Sequence, residues 1–373
     1  MQAALISPYH GGSHRAWAEG LQAFTQHDVT LLTLPARFWK WRMHGGAVTL
    51  ARRFLAQEQR PDVILTTDML DVTTFLALTR PFTAHTPIAL YMHENQLTYP
   101  LSANPNEGAM RRQHGERDLH YAFVNYASML AADVVLFNSQ FHLDSWLHAL
   151  PRFLRRYPEF NELNSVETVR QKSRVLPVGV DFGRLEMGEE GRSQSPLVLW
   201  NQRWEYDKNP TMFFEALFTL ADEGIPFQVA LCGEQFGKRP SIFAEAVARL
   251  GERLIHIGYA QPDHYRQLLW TADVTVSTAH HEFFGISVLE AIYCHTFPIL
   301  PHRLSYPELI PESYHWRCLY EDEAGLLPRL RWALQQREAA RQIAGELATA
   351  VAGYGWSHMS ARYDDVLAQL VER

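Results

Sequence analysis

Short apolar runs alternate with longer amphipathic stretches along the chain, and this rhythm occurs twice. In the first half, five runs have the length and β-branched content of buried strands, at 3–6, 29–34, 62–67, 88–92 and 133–137. Between them, residues 46–57 and 116–130 carry apolar side chains at helical spacing. Alternating strands and helices predict a parallel sheet that is covered by helices on both faces.

The rhythm restarts after residue 195. Strand-like runs occur at 197–200, 227–231, 254–257, 274–277 and 297–300, and helical patterns occur near 209–223, 240–250 and 262–271. The polar, glycine-containing segment 188–195 predicts a linker between the two halves. Residues 356–371 have the apolar spacing of a final amphipathic helix. The pattern therefore predicts an α/β protein with two doubly wound domains.

Length and composition agree with two globular domains. The chain has 373 residues, which is too long for one ordinary core, and 47% of them are hydrophobic. It contains no apolar run of about 18 residues, so a membrane-spanning helix is not expected. The N-terminus lacks a basic segment and is predicted to be a strand and not a signal peptide. The three cysteines are widely spaced, which predicts neither a disulfide framework nor a zinc site, and the expected location is the cytoplasm.

The charge is divided unequally between the two halves. Residues 1–176 contain 17 Lys+Arg and 15 Asp+Glu, a net of +2, and residues 177–373 contain 17 and 26, a net of −9, which together give −7. An acidic total argues against binding of nucleic acid by the whole surface. A polyanionic partner would therefore approach the N-terminal half.

Ligands of doubly wound sheets bind beyond the carboxyl ends of the strands, and two polar segments of the N-terminal half have that position. Gly11 and Gly12 follow the first strand, where helix-start N–H groups could face an anion, although a plain tight turn is the alternative. The neighbouring His10 and His14 have no third metal ligand nearby, so no metal site is predicted. A polar run begins at His93, after the fourth strand, and suits a polyhydroxylated or heteroaromatic ligand. Its alternative is a hydrogen-bonded loop formed by Asn95 or Gln96.

Two segments of the C-terminal half combine charge with the end of a strand. Arg203 and Lys208 flank the loop after the first strand of this half and could neutralise a diphosphate, unless they are two solvated surface cations. After the strand at 274–277, Glu282 lies in a loop and a helix begins near Gly285, so that helix-start amides would face an anion. Glu290 lies in an apolar part of that helix and needs hydrogen-bond donors, which ribose hydroxyls or the backbone would supply.

These motifs resemble those of the retaining glycosyltransferases of family 4. The resemblance rests on Glu282 and Glu290 with seven residues between them, on Arg203 and Lys208 with four between them, on residues 177–181 and 138–139, and on the terminal helix beginning at Trp356. It implies the GT-B fold, in which two doubly wound parallel-sheet (Rossmann-like) domains face an interdomain cleft. Residues 1–180 would form the acceptor-binding domain and residues 181–355 the nucleotide-sugar-binding domain. Residues 356–373 would cross back to the N-terminal domain.

The N-terminal half is similar to one branch of that family, the tRNA-queuosine mannosyltransferases. Residues 8–14, 38–42, 91–100 and 281–285 carry this similarity. It implies transfer of mannose from GDP-mannose to queuosine in the anticodon loop of tRNA, specifically tRNA-Asp, with retention at the sugar and without a metal. It implies no membrane and no obligate protein partner.

The resemblance also implies roles for individual residues. The residues beside the reacting groups would be His93, Arg203, Lys208 and Glu282. The donor would contact Gly12, Arg203, Lys208, Glu282, Phe284, Gly285, Ile286, Ser287 and Glu290. The acceptor would contact His10, His14, Trp39, Arg42, Glu94, Asn95, Gln96 and Tyr99. Cations and indoles suited to an unpaired loop are Arg37, Lys40, Arg42, Arg52, Arg53, Arg111, Arg112 and Arg117 with Trp39 and Trp41.

Three other functions fit parts of the pattern. A family 4 transferase with a small glycan or lipid acceptor would use a basic amphipathic docking helix, for which residues 151–157 are the one short candidate. A non-catalytic module that binds nucleotide sugar or RNA would be favoured by loss of Glu282, Arg203 or Lys208, and all three are present. A GT-B epimerase fits the two spaced pairs less well than a transferase does.

Overall fold

The computed structural model describes residues 1–99, 119–186, 195–233 and 240–372, which divide into two compact units. The first unit comprises the described residues up to Val180 together with residues 354–372, and the second comprises those from Asp181 to Gly353. Three predicted features fall outside the described residues in whole or in part: the linker predicted at 188–195, of which only Ser195 is described, the cations Arg111, Arg112 and Arg117, and the start of the helix predicted at 116–130.

Each unit is an α/β structure built on one parallel sheet. The strands are β1 (Gln2–His10), β2 (Asp28–Pro35), β3 (Val63–Thr67), β4 (Ile88–Met92), β5 (Val134–Phe137), β6 (Ser173–Val175), β7 (Leu197–Asn201), β8 (Gln228–Cys232), β9 (Leu254–Gly258), β10 (Val274–Val276), β11 (Phe297–Pro301) and β12 (Leu319–Tyr320).

The α-helices alternate with the strands along both units. They are α1 (Gly12–Phe24), α2 (Trp39–Leu55), α3 (Val72–Thr83), α4 (His120–Ala131), α5 (Gln140–Leu154), α6 (Ser165–Lys172), α7 (Pro210–Asp222), α8 (Ile242–Leu250), α9 (Pro262–Thr271), α10 (Ile286–Tyr293), α11 (Tyr306–Leu309), α12 (His315–Cys318), α13 (Glu323–Gln335), α14 (Arg337–Val351) and α15 (Trp356–Val371). Short 3-10 turns occur at Gly183–Leu185, Tyr206–Lys208, Gly251–Arg253, Glu312–Tyr314 and Ala352–Tyr354. None of the described helices is long and apolar enough to cross a membrane.

The sheet of the first unit has the strand order β2-β1-β3-β4-β5-β6. The chain moves from β1 outward to β2 and returns to β3 on the other side of β1, so the topological switch point lies between β1 and β3. One face packs its apolar side chains, among them Ile6, Ile64 and Leu90, against α2, α3, α4 and α5. Because all six strands are parallel, their carboxyl ends meet at one edge, where ligands of such sheets bind.

The final helix α15 belongs to the first unit, where it packs beside α1. Tyr363 joins three segments, because its hydroxyl accepts a hydrogen bond from Trp17 Nε1 (2.9 Å) and donates to the Pro177 carbonyl (2.9 Å). The indole of Trp356 lies on the backbones of Gly20 and Gly179, and a Cβ at either glycine would fall within 2.3 Å of it. Close backbone approach at both glycines therefore seats the start of α15.

The sheet of the second unit has the order β12-β11-β10-β7-β8-β9. Counted within the unit, this order reads 6-5-4-1-2-3, which is the six-stranded Rossmann arrangement. The switch point lies between β7 and β10, which pair in parallel through Val198 with Val274 and Leu199 with Thr275. The loops that follow these two strands carry Arg203, Lys208 and Glu282.

All ten strands predicted from the sequence are present, and the predicted helices at 262–271 and 356–371 match α9 and α15. The prediction for 46–57 was wrong at its start, because α2 begins at Trp39 and its buried face continues through Met43 across a pair of glycines. The first strand continues to His10, so Pro8 and Tyr9 extend the strand and do not open a loop. The edge strands β6 and β12 were not predicted, because runs of three and two residues carry too little pattern.

Candidate functional site

The loop after β7 buries the ammonium group of Lys208. Its Nζ donates to the His281 carbonyl (2.8 Å) and lies 3.3 Å from Glu282 Oε2 and 3.5 Å from Asp207 Oδ2. Burial alone would lower the pKa of Lys208, but the charges of Glu282 and Asp207 raise it above its ordinary value. Lys208 is only 5% exposed, so the alternative of a solvated surface cation is wrong for this residue.

Glu282 is the partner carboxylate in the loop after β10. Its Oε1 accepts hydrogen bonds from the backbone N–H groups of Phe283 (3.1 Å) and Phe284 (3.2 Å), while Oε2 faces Lys208. Burial raises the pKa of Glu282, but the Lys208 charge and the Phe284 N–H outweigh it and hold that pKa below its ordinary value. The Lys208–Glu282 pair thus joins the loops of β7 and β10 at the switch point.

Arg203 lies beside this pair at the surface of the unit. Its side chain is 43% exposed and lies 3.3 Å from Glu205 Oε2. Its charge acts to lower the pKa of Lys208, so the two cations lie close enough to repel each other. A cation held near another cation and partly open to solvent is suited to an anionic ligand such as a diphosphate.

The backbone at Gly285 fixes the start of α10. Gly285 has a φ of +103°, a conformation that residues with a Cβ rarely adopt, and a Cβ there would lie 3.2 Å from Leu309 Cδ1. The preceding Phe284 is buried, and its carbonyl accepts a hydrogen bond from Ser305 Oγ (3.0 Å). Ile286 and Ser287 form the first turn of α10, as the sequence predicts.

Glu290 is buried within α10, and its donors are two side chains. Arg184 donates to Oε1, and the Tyr265 hydroxyl donates to Oε2 (2.8 Å). Asn201, the last residue of β7, donates from its amide to the Tyr265 hydroxyl (3.1 Å) and to the Ser287 carbonyl (2.8 Å). The sequence predicts ribose hydroxyls or the backbone as donors to Glu290, and it does not reveal Arg184 and Tyr265, whose contacts with Glu290 span 106 and 25 positions.

In the first unit, His93 follows β4 and lies in a buried aromatic cluster. Its ring centre is 4.2 Å from that of His14 and 4.8 Å from those of Trp17 and Tyr91. Burial lowers the pKa of His93 well below its usual value and lowers that of His14 to about 4. Both imidazoles are therefore neutral near pH 7. Within the described residues, His93 Nε2 and His14 Nδ1 have no hydrogen-bond partner.

Asp68 is a buried carboxyl group that sequence reasoning missed. It follows β3, its Oδ1 accepts the His93 N–H (3.1 Å), and its Oδ2 has no hydrogen-bond partner in the described part of the chain. Burial raises the pKa of Asp68 to about 8, although backbone N–H groups, that of His93 first, act to lower it. The sequence did contain a signal for Asp68. It is a single carboxylate at the carboxyl end of a strand, beside the switch point, and no residue near it in the sequence is an evident partner.

The other predicted acceptor residues of the loop after β4 differ in their surroundings. Asn95 is buried, and its Oδ1 accepts the N–H groups of Leu97 (2.9 Å) and Thr98 (3.3 Å). For Asn95, the hydrogen-bonded-loop alternative therefore describes what the side chain does in this structure. Glu94, Gln96 and Tyr99 are half-buried in the same loop.

The predicted residues at the starts of α1 and α2 are partly committed to local contacts. His10 Nε2 lies 3.4 Å from Glu19 Oε1, and Gly12 is exposed with a φ of +52°. Trp39 is half-buried against Tyr121 at a ring separation of 5.0 Å, and Arg42 donates to the Pro35 carbonyl (3.1 Å). No group of three His, Cys, Asp or Glu side chains that could hold a metal ion occurs among the described residues.

Comparisons with known proteins cover nearly the whole chain. Residues 2–180 match the family model described as tRNA-queuosine alpha-mannosyltransferase N-terminal, and residues 186–345 match the model of glycosyl transferases group 1. The tRNA-queuosine alpha-mannosyltransferase of Drosophila melanogaster is 34% identical over 319 residues, covering 83% of this chain and 81% of that protein. The chain belongs to the tRNA-queuosine alpha-mannosyltransferase family. It is a glycosyltransferase, which sets aside the alternatives of a non-catalytic module and of an epimerase.

Other relatives are more distant. The GDP-mannose:cellobiosyl-diphosphopolyprenol alpha-mannosyltransferase of Xanthomonas campestris is 24% identical over 196 residues, covering 52% of this chain and 51% of that protein. Among solved structures, the sucrose-phosphate synthase of Thermosynechococcus elongatus superimposes with a TM-score of 0.74 at 15% identity, covering 100% of both chains. Anabaena HepE in complex with UDP and glucose gives a TM-score of 0.69 at 13% identity and 99% coverage of both chains. At these identities the solved structures show the fold alone, which is GT-B with two Rossmann-like domains.

Proposed function

We propose that this glycosyltransferase transfers mannose from GDP-mannose to queuosine in the anticodon loop of a tRNA, with retention at the anomeric carbon. The observation that carries the proposal is the match of the first unit, residues 2–180, to the N-terminal model of tRNA-queuosine alpha-mannosyltransferases. The acceptor tRNA that the family resemblance suggests is tRNA-Asp.

The donor site proposed for the second unit uses charge to stabilise departure of the nucleotide. Glycosyl transfer leaves negative charge on the diphosphate, and Arg203 is the partly exposed cation that would meet it. Lys208 adds a second positive charge and holds Glu282 in place through a contact of 3.3 Å. Glu282 would accept hydrogen bonds from the sugar hydroxyls. Electrostatic groups of this kind supply a large share of catalysis, since loss of one donor typically costs about 10²–10³ in turnover.

Nucleotide binding is assigned to α10 and its surroundings. The first-turn amides at Gly285, Ile286 and Ser287 would face a phosphate. Glu290 would bind the ribose, which requires one of its present donors, Arg184 or Tyr265, to share the carboxylate with a ribose hydroxyl. Arg184 is the donor better placed to move, because its side chain is 51% exposed.

The acceptor hydroxyl is assigned to the first unit, beside His93. The Nε2 of this neutral imidazole is buried and has no partner among the described residues, and with its proton on Nδ1 the ring would accept a hydrogen bond from a hydroxyl group that reaches Nε2 and would orient it. In the front-face route that the family resemblance implies, the leaving phosphate takes the acceptor proton. His93 then orients the hydroxyl and need not hold the proton.

A comparison of donors tests the donor half of the proposal. Labelled GDP-mannose, GDP-fucose and UDP-glucose are offered separately with queuosine-containing tRNA, and only GDP-mannose should label the RNA. In parallel, a nucleotide at about 100 times its Kd should stabilise the protein by about 2.7 kcal/mol in a thermal-shift assay. Stabilisation by UDP but not by GDP would contradict the proposed donor. We also propose that no metal takes part, so labelling should continue in excess chelator.

A second candidate is transfer to a polyprenyl-linked glycan, favoured by the partial similarity to the Xanthomonas enzyme. Polyprenyl-diphosphate glycans in detergent are the matching acceptors. If these are labelled while queuosine-containing tRNA is not, the second candidate replaces the first.

A further inference from the structure

Two aromatic side chains stand exposed at the start of α2. Phe38 and Trp41 are 79% and 63% exposed, and we call them together the aromatic pair. Trp39, between them, packs against a small cluster that contains Met43 and Tyr121. Helix geometry explains the difference, because positions 39 and 43 share one face and position 41 lies on the opposite face.

Neither backbone preference nor packing accounts for phenylalanine at position 38. Phe38 has a φ of +53°, in the left-handed region that glycine and asparagine tolerate better than aromatic residues do. It is also the N-cap of α2, and no side chain caps the helix there, whereas Ser, Thr, Asp or Asn would do so. Since the ring gains little burial in return, the folding of this chain does not explain phenylalanine at this position.

The indole of Trp41 is held against its own helix. A Cβ at Gly45 would lie 2.5 Å from Trp41 Cζ2, so the ring rests on the backbone one turn further along. The indole is therefore supported from one side and remains 63% exposed to solvent.

The segment of sequence that contains the aromatic pair is basic. Residues 29–57 contain Arg37, Lys40, Arg42, Arg52 and Arg53 and no aspartate or glutamate. Exposed rings among cations are the means by which proteins hold unpaired nucleotides, since bases stack on the rings and phosphates meet the cations.

We propose that Phe38 and Trp41 stack on unpaired bases of the RNA acceptor and so hold its single-stranded loop against α2. The inference rests on the proposed function, in which that loop is the anticodon loop. The inference names the side chains that hold the loop: Phe38 and Trp41 stack on the bases, and Trp39 supports the helix.

Three variants test the aromatic pair by binding of a queuosine-containing anticodon stem-loop at fixed salt. Phe38→Asn and Trp41→Ala should each weaken binding by about 5- to 100-fold, as expected for loss of one base–ring contact. Gly45→Ala should weaken binding as well, because its methyl group displaces the Trp41 ring without removing it. Phe38→Asn should not lower the Tm, since asparagine suits both the left-handed backbone and the N-cap.

Trp316→Ala is the matched control. Trp316 is 64% exposed, lies in the second unit, and should leave RNA affinity unchanged when truncated. Unchanged affinity in Phe38→Asn and Trp41→Ala would overturn the inference. So would loss of binding to anionic phospholipid vesicles in these variants with RNA affinity retained, because the pair would then be a membrane anchor. Wild-type transfer to queuosine-containing tRNA is measured alongside, and its absence would overturn the proposed function instead.

Discussion

Lys208 and Arg203 are two cations of one loop with different surroundings. Lys208 is buried between Glu282 and Asp207, whereas Arg203 is 43% exposed beside Glu205. Removing Lys208 leaves buried carboxylates without their counter-charge, so its loss would affect folding as well as the proposed donor site. Arg203 can be removed without that effect and is therefore the cleaner probe of the donor site.

We predict that Arg203→Ala lowers kcat by about ten- to a thousandfold with little change in Tm, as expected for loss of one charge partner of the transition state. Lys208→Ala should lower kcat similarly and lower the Tm too. The control is Arg249→Ala, because Arg249 has the same side-chain exposure of 43% and pairs with Asp222 on the surface. Turnover equal to wild type in both Arg203→Ala and Lys208→Ala would contradict the prediction. Lys208 would then be a structural cation and Arg203 a surface cation.

Asp68 gives a prediction about pH. Its pKa in the folded protein is about 8, above the value of about 3.9 for an unfolded aspartate, so folding is favoured by its protonated form. This contribution is fully present below about pH 4 and is lost as the pH rises through about pH 8. Asp68→Asn keeps an oxygen for the His93 N–H and cannot ionise. The free energy of unfolding of this variant, relative to wild type, should therefore rise from about pH 4 to about pH 8. Denaturant unfolding at each pH measures it. A difference that stays constant across this range would contradict the prediction.

The positions of site residues could be predicted where the order of strands and loops along the chain decides them. Arg203, Lys208 and Glu282 all follow strands, so their place at one edge of the second sheet follows from parallel topology. The partners of Glu290 were not predictable, because Arg184 reaches it from 106 positions away and nothing local to either residue marks the pairing. Asp68 was missed for a different reason, since a single polar residue directly after a strand also marks the ordinary end of a strand.

Two helix glycines lie against an indole ring, one within a single helix and one between two helices. In α2, Gly45 supports Trp41, and in α1, Gly20 supports Trp356 of α15. The glycine pair inside α2 also hid the beginning of that helix from sequence analysis, because glycine is a poor helix former in isolation. Contact with aromatic rings explains the presence of these glycines inside helices, which helix propensity does not explain.

We predict opposite signs for alanine at two helix glycines. Alanine ordinarily stabilises a helix interior by about 1 kcal/mol relative to glycine, and Gly345→Ala in α14 should do so, since its Cβ would lie 3.9 Å from the nearest atom, His295 Nδ1. Gly20→Ala should instead destabilise the protein, because its Cβ would lie 2.0 Å from Trp356 Nε1. Chemical denaturation of both variants measures the two signs. Stabilisation by Gly20→Ala would show that α15 does not depend on this contact.

At the scale of the whole molecule, the two α/β units follow directly from the strand and helix rhythm. The strand orders do not, because the periodicity that predicts a strand carries no information on its neighbours. The short edge strands β6 and β12 were also not predicted, since they depend on pairing with β5 and β11. The charge division of +2 and −9 between the halves agrees with the proposal that the first unit binds the RNA acceptor.

The most direct test of the proposed function compares two matched tRNAs that differ only in the wobble base. Each is incubated with the purified protein and labelled GDP-mannose, and incorporation of mannose into the RNA is measured. The proposal predicts labelling of the tRNA that carries queuosine and none of the tRNA that carries guanine, because only queuosine offers the cyclopentene diol as acceptor. Equal labelling of both, or of neither while a glycan or lipid acceptor is labelled, would contradict it.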